Sequence, residues 1–318
     1  MSAQSAQGRV QAPIVALVGP TGVGKTAVAV GLCEQLGGEI IGADSVQVYR
    51  GFDIGANKPS AEDLRGVRHH LLDVLAPDEE IDAARFARLA DATIAEVSAR
   101  GGLAVVVGGT GLWLRALLRG LVELPPVDAA LRARLEGEWD ERGAELMHAR
   151  LREVDPRSAS HVHPSDRLRV VRALEVHVQT GHALGELRAA HALGAPRYPA
   201  HVIALDLPVP HWRNAIALRT RAMFARGFVA EVQGLVARYG QGARALRAVG
   251  YRQVAEGLAA EQAPAEIERQ VLVATHTYGR RQRTWFRSDP SVSERLAPNE
   301  VLTANVVERV RAWVQGAR

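Results

Sequence analysis

Short apolar runs alternate with amphipathic stretches in the first third of the chain. The runs at 13–18, 39–44 and 103–109 are rich in branched residues, which is typical of buried strands. Helical spacing follows the first run at 26–36 and precedes the third at 82–100. Strands that alternate with helices in this way predict an α/β fold with a parallel sheet covered by helices on both faces.

The pattern changes after residue 121. A proline-rich break leads into a stretch at 128–181 in which all spacing is helical, and a strand-like run returns only at 201–207. Helical spacing dominates again from residue 211 onward. We therefore expect an all-helical subdomain at 124–194, inserted in a core domain formed by 1–123 and 195–318, with a helical C-terminal part.

Composition places the chain among ordinary globular proteins. It has 318 residues, of which 47% are hydrophobic and 23% charged. No apolar run approaches the roughly 18 residues of a membrane span, so we expect no membrane partner. The first twelve residues are small and polar, as in a frayed start without a signal peptide, and the single cysteine, Cys33, excludes an internal disulfide. These features favour a soluble protein in the reducing cytoplasm.

Basic residues are unevenly distributed. Eight arginines and two acids lie in 205–252, and four arginines with no acid lie in 275–287. Such stretches either follow a nucleic-acid backbone or form a solvated basic face, and the net charge of +4 does not decide between the two. The 39 basic residues include only two lysines, Lys25 and Lys58. Because arginine is used almost everywhere else, each lysine suggests a specific chemical role.

The motif GPTGVGKT lies between the first predicted strand and the first predicted helix. Its glycines allow backbone N–H groups to surround phosphate oxygens at a helix N-terminus. Lys25 is expected to reach a terminal phosphate, and Thr26 is expected to bind Mg²⁺. The motif predicts a P-loop that binds a di- or triphosphate, without specifying the reaction. The predicted phosphate-binding residues are Gly19, Pro20, Thr21, Gly22, Val23, Gly24, Lys25 and Thr26.

One carboxylate, Asp44, follows a predicted strand near the P-loop. Nucleoside-triphosphate hydrolases and kinases place an acid after a neighbouring strand to hold Mg²⁺, but the run at 103–107 continues into GGTGLW without one. On these grounds alone, metal ligation is favoured over a general-base role for Asp44.

Seven motifs in sequence order carry a closer resemblance. They are GPTGVGKT, ADSVQVYRGFDIGANKP, HHLLDV, VGGTGLW, RALEV, AVGYRQ and RRQRTWFR. Together they closely resemble the tRNA dimethylallyltransferase (tRNA isopentenyltransferase) family, bacterial type, over about 14–287. The resemblance implies a P-loop NTPase-like fold and transfer of a dimethylallyl group from its diphosphate to N6 of the adenosine 3′-adjacent to the anticodon (position 37). It also implies Mg²⁺ as cofactor and the tRNA anticodon stem-loop as partner. We expect a monomer, although the sequence does not specify the oligomeric state.

The resemblance assigns catalytic roles to three residues. Asp44 matches the general base of the family, which reverses the metal-ligand interpretation. Thr21 matches a threonine near the reacting carbon, and Arg219 matches an arginine that stabilises the leaving pyrophosphate. A poorly nucleophilic exocyclic amine does need a proton acceptor, and a departing pyrophosphate does need fixed cations.

The same resemblance implies a set of tRNA contacts. An adenine stacked in the anticodon loop has to be flipped out to reach a buried carboxylate, and the segment from Asp44 matches the part of the family that receives it. Leu168, Trp113 and His276 stand where many relatives have other residues, so contacts near them are less certain to be shared. The implied tRNA-binding residues are Asp44, Ser45, Val46, Gln47, Thr110, Arg132, Arg169, Arg172, Arg247, Gly250, Tyr251, Arg252, Arg280, Arg281 and Arg287.

Other functions fit parts of the pattern. A prenyltransferase acting on free adenine nucleotides would keep the P-loop and Asp44 without needing the basic stretches. A nucleotide kinase would use the same loop for ATP, and a non-enzymatic RNA-binding protein could retain it as a switch.

Trp285 and Phe286 are equally compatible with a core pair or a base-stacking platform. The histidine pairs at 69–70 and 161/163 lack further ligands at metal spacing, so structural roles are expected.

Overall fold

The computed structural model describes residues 12–192 and 195–317. Residues 1–11 of the expected frayed start therefore lie outside the described residues. The strands are β1 (Ile14–Val18), β2 (Gly38–Gly42), β3 (His69–His70), β4 (Leu103–Gly108), β5 (Ala200–Leu205) and β6 (Glu294–Leu296). All pairings are parallel, in the order β3-β2-β4-β1-β5-β6. The predicted α/β fold with a parallel sheet is confirmed.

Helices account for most of the remaining described chain. They are α1 (Lys25–Leu36), α2 (Ala61–Leu64), α3 (Ala83–Ala99), α4 (Gly111–Arg119), α5 (Ala129–Val154), α6 (Pro156–Ala159), α7 (Arg167–Thr180), α8 (Leu184–Ala192), α9 (Val209–Ala225), α10 (Phe228–Tyr239), α11 (Tyr251–Ala259), α12 (Pro264–Ser288), α13 (Pro298–Val301) and α14 (Ala304–Gly316). A short 3₁₀ helix spans Arg244–Arg247. None of the helices in the described residues is long and apolar enough to cross a membrane.

The chain is divided into two compact units. The first comprises the residues up to Leu118 together with those from Arg197 onward, and the second is Arg119–Pro196. The second unit is helical, contains the whole of the expected insertion at 124–194, and has its own apolar core, which includes Leu135, Leu151 and Leu174. The first unit contains the sheet.

The central strands are apolar on both faces because helices cover both. In β1, Ile14, Ala16 and Val18 belong to one apolar cluster with side chains of α3, α4 and α10 to α12, whereas Val15 and Leu17 belong to another with side chains of α1, α13 and α14. This alternation is the period-two geometry of a strand. Each layer removes apolar surface from water, which is the main stabilising contribution to such a fold.

Two features of the fold depart from the predicted pattern. The edge strands β3 and β6 were not predicted, and β6 lies in a region where helical spacing was expected to dominate. The helical prediction for 128–181 is confirmed, but Gly143 breaks α5 with φ 81° and ψ 168°. Glycine adopts this backbone conformation without the steric cost that other residues would carry.

Candidate functional site

Three loops of the first unit meet where neighbouring strands of the sheet end. β1 leads into the P-loop, β2 leads to Asp44, and β4 leads to Thr110. Because β2, β4 and β1 are neighbours and parallel, their carboxyl ends lie side by side, where ligands of open α/β sheets bind. A cavity of about 670 Å³ opens here, and the P-loop, the segment from Asp44, α9, α12 and residues 244–250 line it.

The P-loop closely approaches the neighbouring strand. Gly19 has φ 141°, and a Cβ at this position would lie 2.4 Å from the carbonyl oxygen of Leu205. Only glycine therefore fits. The Lys25 ammonium donates hydrogen bonds to the carbonyl oxygens of Gly19 (3.1 Å) and Pro20 (2.8 Å). The loop thus holds its own lysine against its backbone, at the N-terminus of α1 and beside the cavity.

Two long-range side chains fix Thr21 in the P-loop. The Thr21 N–H donates to Gln282 Oε1 at 2.8 Å, and Trp212 Nε1 donates to the Thr21 carbonyl at 3.0 Å. The amide of buried Gln282 also donates from Nε2 to the carbonyl of Gly109 at 2.9 Å. Gln282 therefore joins the P-loop to the loop after β4. Sequence reasoning missed both residues, although Gln282 is the single uncharged polar side chain among the arginines of RRQR.

Asp44 lies on the cavity wall, just after the end of β2. Its Oδ1 accepts hydrogen bonds from the backbone N–H groups of Val46 (2.9 Å) and Gln47 (3.3 Å). These two bonds orient the carboxylate through one oxygen. Among the described residues no hydrogen bond to Oδ2 occurs, so this oxygen is available to a ligand in the cavity.

Three charged groups of the cavity influence one another. Loss of hydration lowers the pKa of Lys25 to about 8, with nearby Arg219 adding to the shift and Asp44 opposing it. Burial likewise lowers the pKa of Arg219, again against the attraction of Asp44. Arg219 Nε is buried without a hydrogen-bond partner among the described residues. Two poorly hydrated cations beside one carboxylate form a site suited to an anion.

Tyr278 connects Asp44 with the loop after β4. Burial and the charge of Asp44 raise the pKa of the Tyr278 hydroxyl well above its usual range, so the group stays protonated. The hydroxyl hydrogen-bonds the side chain of Thr110, the residue predicted to contact tRNA. The side chains of Tyr278 and Asp44 both line the cavity.

Lys58 has a structural explanation. Its ammonium is almost wholly buried, with 6% of the side chain exposed, and donates to the Tyr49 carbonyl (2.7 Å), to Asp53 Oδ1 (2.7 Å) and to Asp73. These bonds tie together the segment that follows Asp44. The second of the two lysines thus acts as a cross-link in the cavity wall.

Lys58→Met is expected to lower the free energy of unfolding by about 1–3 kcal/mol, because it leaves a carbonyl and two carboxylates without their shared donor. Urea denaturation measures the change. Arg65→Met is the matched control, since Arg65 pairs with Glu34 at 3.0 Å on the surface and should cost under about 1 kcal/mol. Equal destabilisation by the two variants would contradict this role for Lys58.

Apart from Thr110, the predicted tRNA-binding residues of the first unit fall into three groups. Arg247 and Gly250 line the cavity together with the segment Asp44 to Gln47. The side chain of Tyr251 is fully buried and donates its hydroxyl hydrogen to Glu231, so the structure does not bring it to the surface. The remaining arginines are exposed on α11 and α12. These are Arg252, Arg280, Arg281 and Arg287.

In the second unit, the three predicted RNA contacts are arginines in ion pairs. Arg132 donates to Glu175, and Arg172 Nη1 lies 3.1 Å from the same carboxylate, which is completely buried. Arg169 is exposed on α7 and pairs with Asp166 at 3.1 Å. Beside it, 76% of Leu168 is exposed. Arg132 and Arg172 thus have a role within this unit, whatever else they bind.

The two residues of the Trp285–Phe286 pair differ in burial. Phe286 lies in the core, whereas Trp285 is half-buried beneath the guanidinium of Arg115, 4.4 Å from its ring centroid. Trp113 is buried and stacks on Phe86 with centroids 4.4 Å apart. In the described ranges, no group of three or more His, Cys, Asp or Glu side chains could hold a metal ion.

The protein oxygen that the P-loop offers to Mg²⁺, the Thr26 hydroxyl, suits this ion only in combination with a phosphate ligand. The Thr26 hydroxyl makes no hydrogen bond to any described residue, and it lines the cavity next to Lys25. Mg²⁺ takes one or two protein oxygens when substrate phosphates supply others. Thr26 is therefore a suitable single protein ligand for a diphosphate-bound cation.

A family model described as IPP transferase matches residues 47–289, which is most of the chain. The chain belongs to the IPP transferase family. As a member of this family it is a transferase. It is 48% identical over 279 residues to a tRNA dimethylallyltransferase of Anaeromyxobacter dehalogenans (strain 2CP-C), covering 88% of this chain and 93% of that one.

Two solved structures are similar to this chain. A tRNA isopentenylpyrophosphate transferase from Bacillus halodurans has a TM-score of 0.70 at 31% identity, covering 96% of this chain and 98% of that chain. A eukaryotic dimethylallyltransferase acting on tRNA has a TM-score of 0.75 at 23% identity, covering 94% and 77%. The latter likeness supports the fold alone.

Proposed function

We propose that this IPP transferase transfers a dimethylallyl group from dimethylallyl diphosphate to N6 of the adenosine 3′-adjacent to the anticodon (position 37) of tRNA. The observation that carries the proposal is a single cavity bounded on one side by the P-loop with Lys25 and Arg219, and on another by Asp44. This cavity provides an anion site and a proton acceptor for one reaction.

In the proposed reaction a bond forms between N6 of adenine and the first carbon of the dimethylallyl group, while the bond from that carbon to the diphosphate oxygen breaks. Asp44 Oδ2 accepts the N6 proton as the amine loses electron density. Lys25 and Arg219 stabilise the negative charge that accumulates on the departing pyrophosphate. Thr21, whose backbone is held by Gln282 and Trp212, is proposed to lie near the reacting carbon.

Mg²⁺ bound through Thr26 and diphosphate oxygens would neutralise part of the leaving-group charge. The absence of an acidic residue after β4, where Gly109 and Thr110 stand instead, is consistent with a P-loop that holds a leaving group and does not activate a phosphoryl transfer. A nucleotide kinase is the second candidate function, and the P-loop is the feature that favours it.

The exposed arginines of α11 and α12 are proposed to contact the tRNA backbone, and Arg169 is proposed to do so from the second unit. Contacts of this kind position the RNA and make its affinity salt-dependent.

We further propose that the protein acts as a monomer in the cytoplasm, where tRNA is available. Light scattering of the purified protein measures the oligomeric state.

The test is transfer of label. The protein is incubated with Mg²⁺ and labelled dimethylallyl diphosphate, and with either unmodified tRNA or AMP. Label in tRNA at the adenosine 3′ to the anticodon is the expected result. Label in AMP alone would assign a free-nucleotide prenyltransferase, and phosphate transfer from ATP with neither acceptor labelled would assign a kinase.

The lowered pKa of Lys25 predicts a pH dependence. An anion in the cavity requires the protonated ammonium, and this proton is lost as the pH rises through about 8. Affinity for inorganic pyrophosphate should therefore fall above this pH, by up to about tenfold per pH unit. Calorimetric titration between pH 7 and 9.5 measures it. Lys25→Arg, whose guanidinium stays charged, should lack this component, and identical profiles would contradict the assignment.

A further inference from the structure

A turn at residues 53–57 forms part of the cavity wall beside Asp44. Gly55, Ala56 and Asn57 line the cavity. The turn is pressed against the core, because a Cβ on Gly55 would lie 2.1 Å from Cε2 of Phe228 and 2.6 Å from Cζ of Tyr251. Its backbone therefore cannot move inward.

Glu231 of α10 binds the backbone of this turn. Its Oε2 accepts hydrogen bonds from the N–H groups of Asp53 (3.0 Å) and Ile54 (2.6 Å), and its Oε1 accepts from Gly55 (3.1 Å). Hydrogen bonds to an ionised acceptor are about twice as strong as neutral ones. A single carboxylate thus holds three consecutive peptide groups.

Tyr251 completes the arrangement. Its hydroxyl donates to Glu231 Oε1 at 2.7 Å and accepts from the Ala56 N–H at 3.0 Å. Burial beside the carboxylate raises the pKa of this hydroxyl far above its usual range, so it remains a donor. The N–H groups of four successive turn residues are therefore satisfied through Glu231 and Tyr251.

The carbonyl side of the turn holds Gln47. Gln47 Nε2 donates to the carbonyl oxygens of Ala56 (3.0 Å) and Asn57 (3.3 Å), which uses both amide hydrogens. Within the described residues no donor reaches Gln47 Oε1, and Gln47 lines the cavity. Its backbone N–H donates to Asp44 Oδ1. The side chain next to Asp44 is thereby restricted to presenting an acceptor.

We propose that Glu231 is a positioning residue for the transfer. It fixes the turn at 53–57, the turn fixes the amide of Gln47, and Gln47 Oε1 then accepts a hydrogen bond from the base that enters beside Asp44. An acceptor at this place suits the N6 amino group of adenine and opposes the O6 acceptor of guanine. This inference rests on the proposed function and adds a residue that does not touch the substrate.

The test is a double-mutant cycle between Glu231→Gln and Gln47→Ala, read in steady-state kinetics. Glu231→Gln places an amide against N–H donors and should lower kcat/KM for tRNA about 10- to 100-fold. KM for dimethylallyl diphosphate should stay within about twofold, because the P-loop is untouched. If Glu231 acts through Gln47, the double variant should be no worse than Gln47→Ala alone.

Controls separate this role from general stability. Glu266→Gln removes a partly exposed carboxylate paired with Arg269 and should leave kcat/KM unchanged. Thermal unfolding monitors each variant. If Glu231→Gln does not fold, Tyr251→Phe removes one bond to Glu231 and one to Ala56, and should lower kcat/KM for tRNA in the same direction but less.

The outcomes are distinguishable. Additive effects in the cycle would overturn the role of Glu231 while leaving the proposed function in place. A rise in KM for dimethylallyl diphosphate as large as the fall in kcat/KM for tRNA would do the same. Failure of the unmodified protein to label tRNA would overturn the proposed function, and this inference with it.

Discussion

Asp44→Asn is expected to lower the single-turnover rate of dimethylallyl transfer to tRNA about 100- to 10,000-fold, the range that general bases contribute. The amide cannot accept the N6 proton, but its oxygen can still accept the N–H groups of Val46 and Gln47 as the carboxylate does. The local backbone should therefore be retained, and tRNA affinity should remain within about threefold of the unmodified protein.

The matched control for this prediction is Asp78→Asn. Asp78 is an exposed acid between β3 and α3, and its loss should leave the rate unchanged. Rapid-quench measurement at saturating concentrations of both substrates gives the rate, and filter binding gives the affinity. An undiminished rate in Asp44→Asn would remove Asp44 as the base, and a large loss of tRNA affinity would make it a binding residue instead.

The centre of the fold could be predicted because local signals there agree. β1, β2 and β4 are mostly apolar runs of five or six residues, each followed by glycine or ending in it, and the P-loop motif specifies its own backbone conformation. The edge strands β3 and β6 have only two and three residues and carry charged or histidine side chains. They are strands because a neighbouring strand pairs with them, and the sequence alone shows no such partner.

The network behind the catalytic candidates could not be predicted for a related reason. Gln282 contacts Thr21 across 261 positions of sequence, and Glu231 contacts Asp53 across 178. Neither residue differs in type from many exposed glutamines and glutamates of the chain. Only the packing of α10 and α12 against the loops at the sheet edge gives these side chains their partners.

The roles of the arginines could be predicted from the sequence only in part. The family resemblance implied RNA contacts for Arg132 and Arg172 of the second unit, yet both pair with Glu175, a carboxylate with no exposed surface. A buried carboxylate needs such partners, since an unpaired one would be costly. Motif matching therefore could not distinguish arginines that pair with an internal acid from those, such as Arg280 and Arg281, that are exposed.

Arg219→Ala is expected to lower the chemical step about 100- to 1,000-fold, comparable to the loss of one fixed donor to a developing negative charge. Arg219 suits this role because its guanidinium is poorly hydrated, lies near Asp44 and Lys25, and has a buried Nε without a partner among the described residues. An incoming diphosphate would supply the missing acceptor. KM for dimethylallyl diphosphate should rise, and tRNA affinity should change little.

Arg221→Ala provides the comparison, because Arg221 lies on the same helix, α9, but is exposed and is not part of the cavity lining. It should leave both the chemical step and KM for dimethylallyl diphosphate unchanged. Arg219→Lys should recover part of the rate, since it restores charge without the planar donors of guanidinium. If Arg219→Ala instead weakened tRNA binding and spared the rate, Arg219 would belong with the arginines that contact the RNA backbone, and Lys25 would be left as the principal side-chain cation for the leaving group.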